Sequence, residues 1–349
     1  MTLCYFGIYD PEFGRNKVYI TGLKKNGVEV IECRDNARGL KKYWNLWKKH
    51  KAISNSYDVL VVGYPGHVVA PWARFLSSKK VVLDALGTLY DAETLSHEAG
   101  AIKSHKARFV DWAAVKSAHL VLVESEAQKD YFLKRFGGPV EKYQVLYTGA
   151  DDGVVNTIES VDKNETFTVL FRGSLTPESG IEYILNAAEI VGRQFVEEKI
   201  NFLIMGRGIY EERAKEIITE KHLSNVELIT ERLPWPELVR RMRGCHISLG
   251  QFGDNPRLER TIPHKAFESL ALGLPYITAR AQAVLEILTD RQTCIFVTRA
   301  DAKDLAEKIL ELKHDQALGE TMSMSEQGLF RNRFTPQILA KRFISLLEQ

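Results

Sequence analysis

Cysteine is scarce in this chain of 349 residues, and its four copies are too scattered to form a disulfide framework. Cys4, Cys33, Cys245 and Cys294 form no CxxC pair, and three of them lie in apolar, strand-like runs. Buried free thiols in a reducing compartment are the simplest interpretation, which favours a cytoplasmic chain.

Other absences exclude further classes of protein. No run of eighteen apolar residues occurs, which argues against a membrane-spanning helix. The N-terminus lacks the basic and apolar segments of a secretory signal. Without zinc spacing, a helicase-type phosphate loop or an RNA-binding aromatic signature, nucleic acid is not an expected partner. No Asp-x-Asp sequence occurs, and we expect neither a metal ion nor another cofactor.

Charge is unevenly distributed although the net charge is only +2. Residues 1–150 contain 22 Lys+Arg and 15 Asp+Glu, a balance of +7, whereas the remaining residues contain 25 and 30, a balance of −5. A basic first half next to an acidic second half indicates that the first half meets an anionic partner.

Short β-branched runs alternate with longer amphipathic stretches, which is typical of parallel sheets with crossover helices. Twelve strands are predicted, at residues 3–8, 28–32, 59–62, 80–83, 120–123, 144–147, 168–171, 201–205, 226–229, 247–249, 276–278 and 293–297. Helices are predicted at residues 17–25, 95–116, 126–135, 180–194, 210–221, 236–243, 265–272, 303–312 and 337–347.

The polar stretch at residues 149–165 predicts a boundary between two domains. We expect an α/β protein with two facing, doubly wound Rossmann-like domains at residues 1–150 and 151–335. The last helix, within residues 336–349, is expected to pack back on the first domain. Such sheets bind ligands at the carboxyl ends of their strands, so a cleft between the domains is the expected site.

The segment 258–278, LERTIPHKAFESLALGLPYIT, predicts a helix that begins after Pro263 and ends at Gly273. His264, Lys265 and Glu268 share one face of that helix. A helix N-terminus beside Lys and His is suited to a diphosphate, and Glu268 can accept hydrogen bonds from ribose hydroxyls. The alternative is an amphipathic surface helix whose charges face water.

Two glycine-containing loops also follow strands. FRGSLTPESG at residues 171–180 places Gly173 and Gly180 around a strand-to-helix turn, and MGRG occupies residues 205–208. Each loop alone is compatible with an ordinary connection, and Arg207 with a solvated side chain. Three such segments at successive strand ends predict one anion-binding edge.

Together these segments resemble the donor domain of GT-B glycosyltransferases, in particular the retaining family four. The matches are FxGxLxPExGI at residues 171–181, Gly206 and Gly208, and PHKAFESLALGLPYIT at residues 263–278. YTGAD at residues 147–151 resembles the crossing between the two domains, and LVES at residues 122–125 the preceding strand end. The resemblance covers residues 120–330 in motifs and residues 1–119 in layout.

The resemblance implies transfer of a hexose-type sugar from a nucleoside-diphosphate sugar to a hydroxyl, with retained configuration and without a metal ion. The expected acceptor is a glycan, a lipid-linked molecule or a small molecule in cell-surface glycan or glycoconjugate synthesis. Expected donor-binding residues are Gly173, Ser174, Ser179, Gly206, Arg207, Gly208, Arg260, His264 and Glu268.

The chain departs from the family pattern at several positions. Ser174 and Ser179 stand where the family has Arg and Lys, Arg260 stands where it has the first Glu of a pair, and Asp84 stands near its usual His. The leaving diphosphate still requires a cation. We therefore expect catalysis to depend on Lys265 first and Arg172 second, with Asp84 orienting the acceptor hydroxyl.

Signals on the acceptor side are less specific. Gly14 and Arg15 follow the first strand, His67 follows the third, and Asp91 can orient an acceptor or cap a turn. The stretch 38–51, RGLKKYWNLWKKHK, contains six Lys/Arg and no acid, which fits an anionic inner membrane surface. The alternative is a solvated helix whose tryptophans pack inward.

Two other functions remain open. Loss of the loop Arg and Lys fits a catalytically degenerate partner protein that binds a nucleotide sugar. A sugar-nucleotide epimerase on the same fold is the third candidate. A dehydrogenase is disfavoured because Gly7 is not followed by GxGxxG.

Overall fold

A computed structural model describes residues 1–153 and 161–348 of the chain. It divides into two units. Unit 1 comprises Met1–Asp151 with Arg333–Gln349, and unit 2 comprises Asp152–Asn332. Part of the boundary stretch predicted at residues 149–165, namely residues 154–160, lies outside the described residues, as does Gln349.

Unit 1 contains a six-stranded parallel sheet in the order β2-β1-β3-β4-β5-β6. Its strands are β1 Thr2–Gly7, β2 Glu29–Arg34, β3 Val59–Val62, β4 Lys80–Leu86, β5 Leu120–Val123 and β6 Tyr143–Val145. The apolar runs of β3 and β5 are buried throughout, as expected for strands covered by helices on both faces. The order in which successive strands are added to the sheet reverses between β1 and β3, which makes the carboxyl ends of these two parallel strands a ligand-binding position.

The helices of unit 1 cover both faces of this sheet. They are α1 Gly14–Lys25, α2 Lys41–Lys51, α3 Ala70–Leu76, α4 Leu89–Asp91, α5 Ala101–Ser117, α6 Glu126–Phe136 and the C-terminal α13 Pro336–Glu348. Helices α2, α3, α5 and α6 share one buried apolar cluster with the sheet. The helix predicted at residues 95–116 was too long, because Glu98 adopts a positive φ of 51° and separates α5 from a π-helical turn at Ala92–Ser96.

Helix α13 packs against α1. Tyr19 of α1 meets Phe343 of α13 edge-on, with ring centroids 5.7 Å apart. The backbones come so close that a Cβ added to Gly22 would lie 2.0 Å from the carbonyl oxygen of Pro336. This contact attaches the end of the chain to the unit formed by its beginning.

Unit 2 contains a second six-stranded parallel sheet, in the order β12-β11-β10-β7-β8-β9. Its strands are β7 Phe167–Arg172, β8 Ile200–Met205, β9 Val226–Ile229, β10 Ile247–Leu249, β11 Tyr276–Ala279 and β12 Ile295–Val297. This is the strand order of dinucleotide-binding folds. The order in which strands are added to the sheet reverses between the parallel strands β7 and β10. All twelve predicted strands, and the prediction of two doubly wound α/β sheets, are confirmed.

The helices of unit 2 are α7 Ile181–Gln194, α8 Glu211–Glu220, α9 Trp235–Gly244, α10 His264–Leu272, α11 Ala302–His314 and α12 Gln316–Arg333. Helix α12 was not predicted from the sequence. Its buried stripe is Met322, Glu326 and Phe330, so a carboxylate interrupts the apolar periodicity. Glu326 is buried because it accepts a hydrogen bond of 3.0 Å from the backbone of Tyr276.

Within residues 1–153 and 161–348, no helix combines the length and the hydropathy that crossing a bilayer requires.

We predict that Gly22→Ala destabilises unit 1 by about 1–3 kcal/mol, because its methyl group would overlap the backbone of Pro336. Gly328→Ala in α12 is the matched control, since its Cβ would meet no atom within 4 Å. Removing a glycine from an exposed helix interior stabilises by about 0.5–1 kcal/mol. The thermal unfolding midpoint should therefore fall for Gly22→Ala and rise for Gly328→Ala. Equal midpoints would contradict the close α1–α13 packing.

Candidate functional site

The carboxyl ends of β7 and β10 form the reversal point of the unit 2 sheet, and the three predicted site segments meet there. Phe171 and Arg172 end β7, Gly250 follows β10, and α10 begins at His264. Pro263 precedes the helix in an extended conformation and makes no side-chain capping hydrogen bond to it. The first backbone N–H groups of a helix have no acceptor within the helix, although the N–H of Ala266 donates to the carbonyl oxygen of Pro263.

Lys265 is the central cation of this edge. Its side chain is buried, Nζ lies 3.6 Å from the centroid of the Phe171 ring, and it donates a 3.3 Å hydrogen bond to the carbonyl oxygen of Gly250. Burial, reinforced by the nearby Arg172, lowers the pKa of Lys265 well below its ordinary value of 10.5, while Glu268 opposes the shift. An anion placed beside this amine would therefore favour its charged form.

Glu268 lies one turn further along α10 and is 1% exposed. Nη1 of Arg172 donates to both of its carboxylate oxygens, and Nδ1 of His264 lies 3.3 Å from Oε1. Burial alone raises the pKa of Glu268, but Arg172 and His264 outweigh it and hold the value at about 2. The helix is thus no surface helix with solvated charges, because Lys265 and Glu268 are buried and Glu268 pairs with Arg172 of β7.

Glycines allow the loops to approach Lys265 closely. Gly173 has a φ of +149°, and a Cβ there would lie 2.9 Å from Cε of Lys265. A Cβ on Gly206 would lie 1.9 Å from the carbonyl oxygen of Gly173, and one on Gly208 would lie 2.3 Å from that of Leu175. The two predicted loops therefore pack directly on each other, and a side chain at any of these glycines would separate them.

The two serines at the substituted loop positions have different surroundings. Ser174 is exposed beside Gly173. Ser179 is fully buried, and its hydroxyl donates to the carbonyl oxygen of Thr176 at 2.6 Å. The expected donor contact of Ser179 stays a prediction, and in this structure its hydroxyl donates within the turn.

The two arginines predicted near the donor lie on neighbouring loops. Arg207 is exposed, and its carbonyl oxygen accepts the N–H of Leu175 at 3.0 Å. Arg260 follows the turn Pro256–Glu259 and donates from Nη1 to the carbonyl oxygen of Pro256. The adjacent Glu259 pairs with Arg299 instead.

The loop after β10 was missed by the sequence analysis. A Cβ on Gly253 would lie 1.9 Å from the carbonyl oxygen of Pro177, so this loop packs on the turn that follows Ser174. Glu178, 2% exposed, pairs with Arg257 at 3.1 Å and fixes the same contact. The only sequence signal was a pair of glycines just after a strand, in GQFGDN at residues 250–255.

In unit 1, Arg15 and Asp84 form a buried ion pair. Nε of Arg15 donates to both carboxylate oxygens of Asp84 at 2.8 and 2.9 Å, and Nη1 donates to the carbonyl oxygen of Leu146 at 2.7 Å. Arg15 is 0% and Asp84 2% exposed. The predicted roles of Asp84 in catalysis and of Arg15 toward the acceptor stay predictions, and the two side chains are held in this ion pair. Their geometry joins α1, β4 and the end of β6.

The other predicted residues of unit 1 lie near strand ends. His67 is buried and donates from Nε2 to the carbonyl oxygen of Gly87, and burial lowers its pKa to about 4. Asp91 is also buried and accepts from the hydroxyl of Tyr131, which fits the turn role that the sequence left open. Gly14 begins α1.

Asp111 was not predicted as part of this group. It accepts the backbone N–H groups of Leu89 and Tyr90 at 2.9 Å each and lies 3.9 Å from His67. Burial raises its pKa to about 6. Within the described residues, no three His, Cys, Asp or Glu side chains are grouped as metal ligands.

Comparisons with known proteins identify relatives of this chain. Residues 156–329 match the family model described as Glycosyl transferases group 1. The chain is 26% identical over 153 residues to the uncharacterized glycosyltransferase MJ1178 of Methanocaldococcus jannaschii, a match that covers 44% of this chain and 40% of the relative. It is 30% identical over 81 residues to the capsular polysaccharide biosynthesis glycosyltransferase CapM of Staphylococcus aureus, covering 23% of this chain and 21% of CapM.

Among solved structures, the crystal structure of Anabaena HepE in complex with UDP-glucose aligns with 100% of this chain and 99% of its own, with a TM-score of 0.73 and 17% identity. The likeness establishes the same fold for both chains. The matches to MJ1178 and CapM span less than half of those relatives.

We predict that the ion pairs of Glu268 stabilise unit 2 only above acidic pH. Since its folded pKa of about 2 lies below the ordinary 4.5, this contribution is present above pH 4.5 and is lost as the pH falls toward 2. The stability difference between the parent chain and Glu268→Gln should shrink over that range in urea titrations. Glu220→Gln at the exposed end of α8 is the control. A difference that stays constant would contradict the pairing.

Proposed function

We propose that the chain is a GT-B glycosyltransferase that transfers a hexose-type sugar from a nucleoside diphosphate to an acceptor hydroxyl, since residues 156–329 match the glycosyl transferases group 1 family. The proposal includes retention of configuration, which the motif resemblance to family four implies, and no catalytic metal ion. Capsular polysaccharide synthesis by CapM supports a role in making cell-surface glycans or glycoconjugates. UDP-glucose in HepE supports a nucleotide sugar as donor.

One observation carries the proposal: the buried amine of Lys265 faces Gly173 at the reversal point of the unit 2 sheet. A leaving nucleoside diphosphate gains negative charge as the glycosidic bond breaks. A preorganised cation at a water-poor site stabilises that charge far more than a solvated cation would. The first turn of α10, which Pro263 does not cap, adds N–H donors and the positive end of the helix dipole.

Arg172 is the second cation in the proposal. It replaces the charge that Ser174 and Ser179 do not provide, and Glu268 holds it in place at the end of β7. Its side chain is 28% exposed, so it can reach an anion that arrives at this edge. In this arrangement Glu268 orients Arg172, and it accepts ribose hydroxyls once the diphosphate attracts that arginine.

The glycines and the α10 residues that the sequence predicted at the donor site remain part of the proposed site. Gly173, Gly206 and Gly208 bring the loops together, and His264 supports Glu268. Ser174 and Arg207, both exposed beside the same loops, are proposed as contacts at the rim of the site. Arg260, which follows the turn Pro256–Glu259, is also proposed to contact the donor.

The nucleotide base is identified by thermal-shift screening of UDP-, GDP-, ADP- and dTDP-sugars, because a ligand that binds the folded state raises its melting temperature. The stabilising donor is then incubated with candidate glycan and lipid-linked acceptors. Transferred sugar supports the proposed activity. Epimerised donor without an acceptor would indicate an epimerase, and binding without turnover across the acceptor panel would indicate a degenerate partner protein.

We predict that Lys265→Met lowers kcat for sugar transfer by about a hundredfold to a thousandfold, because it removes one preorganised charge while keeping the side-chain volume. Arg213→Met is the matched control. This arginine lies on α8 in exposed ion pairs with Glu182 and Glu216, which contribute little to stability. Unchanged kcat in a correctly folded Lys265→Met protein would refute the assigned role.

A further inference from the structure

Unit 1 exposes aromatic side chains on three adjacent helices of the same layer. Helices α2, α3 and α5 all pack on one face of the sheet, and α3 contacts both α2 and α5. Their outward sides carry Trp44, Phe75, Phe109 and Trp112, which are 55%, 76%, 66% and 50% exposed. Large apolar groups of this kind gathered on one face mark an interaction site.

The aromatic rings stack in pairs, one pair on each helix. Ring centroids are 4.8 Å apart for Trp44 with Trp47, 5.3 Å for Trp72 with Phe75, and 5.9 Å for Phe109 with Trp112. The first pair lies in the basic stretch at residues 38–51, for which the sequence predicted an anionic membrane surface. Its alternative, with tryptophans packed inward, is wrong for Trp44, because Leu46 and His50 form the buried side of α2.

Positive charge accompanies these rings. Residues 36–83 contain nine Lys+Arg and a single acid, Asp58, which accepts the backbone N–H of Thr2. Residues 101–117 contain four Lys+Arg and a single acid, Asp111, which is 1% exposed. Lys49 and Lys103 pair with Asp35 and Glu93, which lie just outside these ranges, at 2.9 and 2.6 Å. The three helices themselves present cations and rings without an exposed carboxylate of their own.

Aliphatic side chains on the same layer help to identify the partner. Leu40, next to α2, is 83% exposed, and Ile102 in the first turn of α5 is 91% exposed. Nucleic acid offers stacking for rings and phosphates for lysines, but it offers little to an exposed Leu or Ile. An anionic bilayer offers phosphates for the cations and an apolar boundary for both rings and aliphatic groups.

We propose that the outward sides of α2, α3 and α5 form a docking surface for an anionic lipid bilayer. The basic side chains lie at the headgroup phosphates, and the aromatic and aliphatic side chains enter the boundary between headgroups and acyl chains. The inference is independent of sugar transfer, because vesicle binding is measured without donor or acceptor.

The test uses the full chain with vesicles of phosphatidylcholine and phosphatidylglycerol in equal parts, against vesicles of phosphatidylcholine alone. We expect co-sedimentation with the anionic vesicles only, weakened by salt. Four of the five tryptophans, Trp44, Trp47, Trp72 and Trp112, lie on these helices. Brominated acyl chains should therefore quench the fluorescence of the bound protein.

Two sets of substitutions separate the apolar and charged contributions. Phe75→Ser with Phe109→Ser removes exposed rings, and Lys48→Gln, Lys106→Gln and Arg108→Gln remove exposed charges. Each set should lower vesicle affinity by about tenfold or more. Melting temperatures should stay close to that of the parent chain, since all five side chains are exposed.

Matched controls come from exposed positions of unit 2, namely Val196→Ser with Met324→Ser, and Lys199→Gln, Lys303→Gln and Arg331→Gln. These should leave vesicle binding unchanged. Absence of binding to anionic vesicles, or equal losses in the controls, would overturn the proposal. Binding without bromine quenching, displaced by a single-stranded oligonucleotide, would also overturn it and assign the surface to nucleic acid.

Discussion

Burial of the Lys265 amine against the Phe171 ring is the constraint around which unit 2 is arranged. An amine in such surroundings loses hydration, and among the described residues it donates one hydrogen bond to a carbonyl and feels the field of a nearby carboxylate. Gly173 must lack a side chain because the amine occupies that space, and Gly206 must lack one because Gly173 lies there. The loops thus pack closely around Lys265, and its amine is placed where it can bind an anion.

Sheet topology explains why this happens where it does. In both units the strand order reverses once, between β1 and β3 and between β7 and β10, and a reversal opens a gap at the carboxyl edge. In unit 2 that gap receives a cation with few partners. In unit 1 the buried guanidinium of Arg15 is neutralised by Asp84. It also donates to the carbonyl oxygen of Leu146 and the hydroxyl of Thr148, just after β6. The two cations therefore differ: Arg15 is paired with a carboxylate, whereas Lys265 donates to a backbone carbonyl.

The sequence predicted the strands and the site helix because both depend on local periodicity and on Gly and Pro at element ends. It did not predict α12, whose buried stripe contains Glu326. Nor could it predict the Arg15–Asp84 pair, whose members are 69 residues apart, or the Arg172–Glu268 pair, separated by 96 residues. The sequence also could not predict that the Ser179 hydroxyl donates a hydrogen bond to the carbonyl oxygen of Thr176, because that contact depends on the fold of the turn. Motif position identified the site edge, while long-range pairing decided which residues remain available there.

A crystal structure of the full chain soaked with the donor that gives the largest thermal shift tests the central claim most directly. The account predicts electron density for a diphosphate within hydrogen-bond distance of Nζ of Lys265 and of the first-turn N–H groups of α10. A diphosphate bound elsewhere, with the Lys265 amine still directed at Gly250, would contradict it.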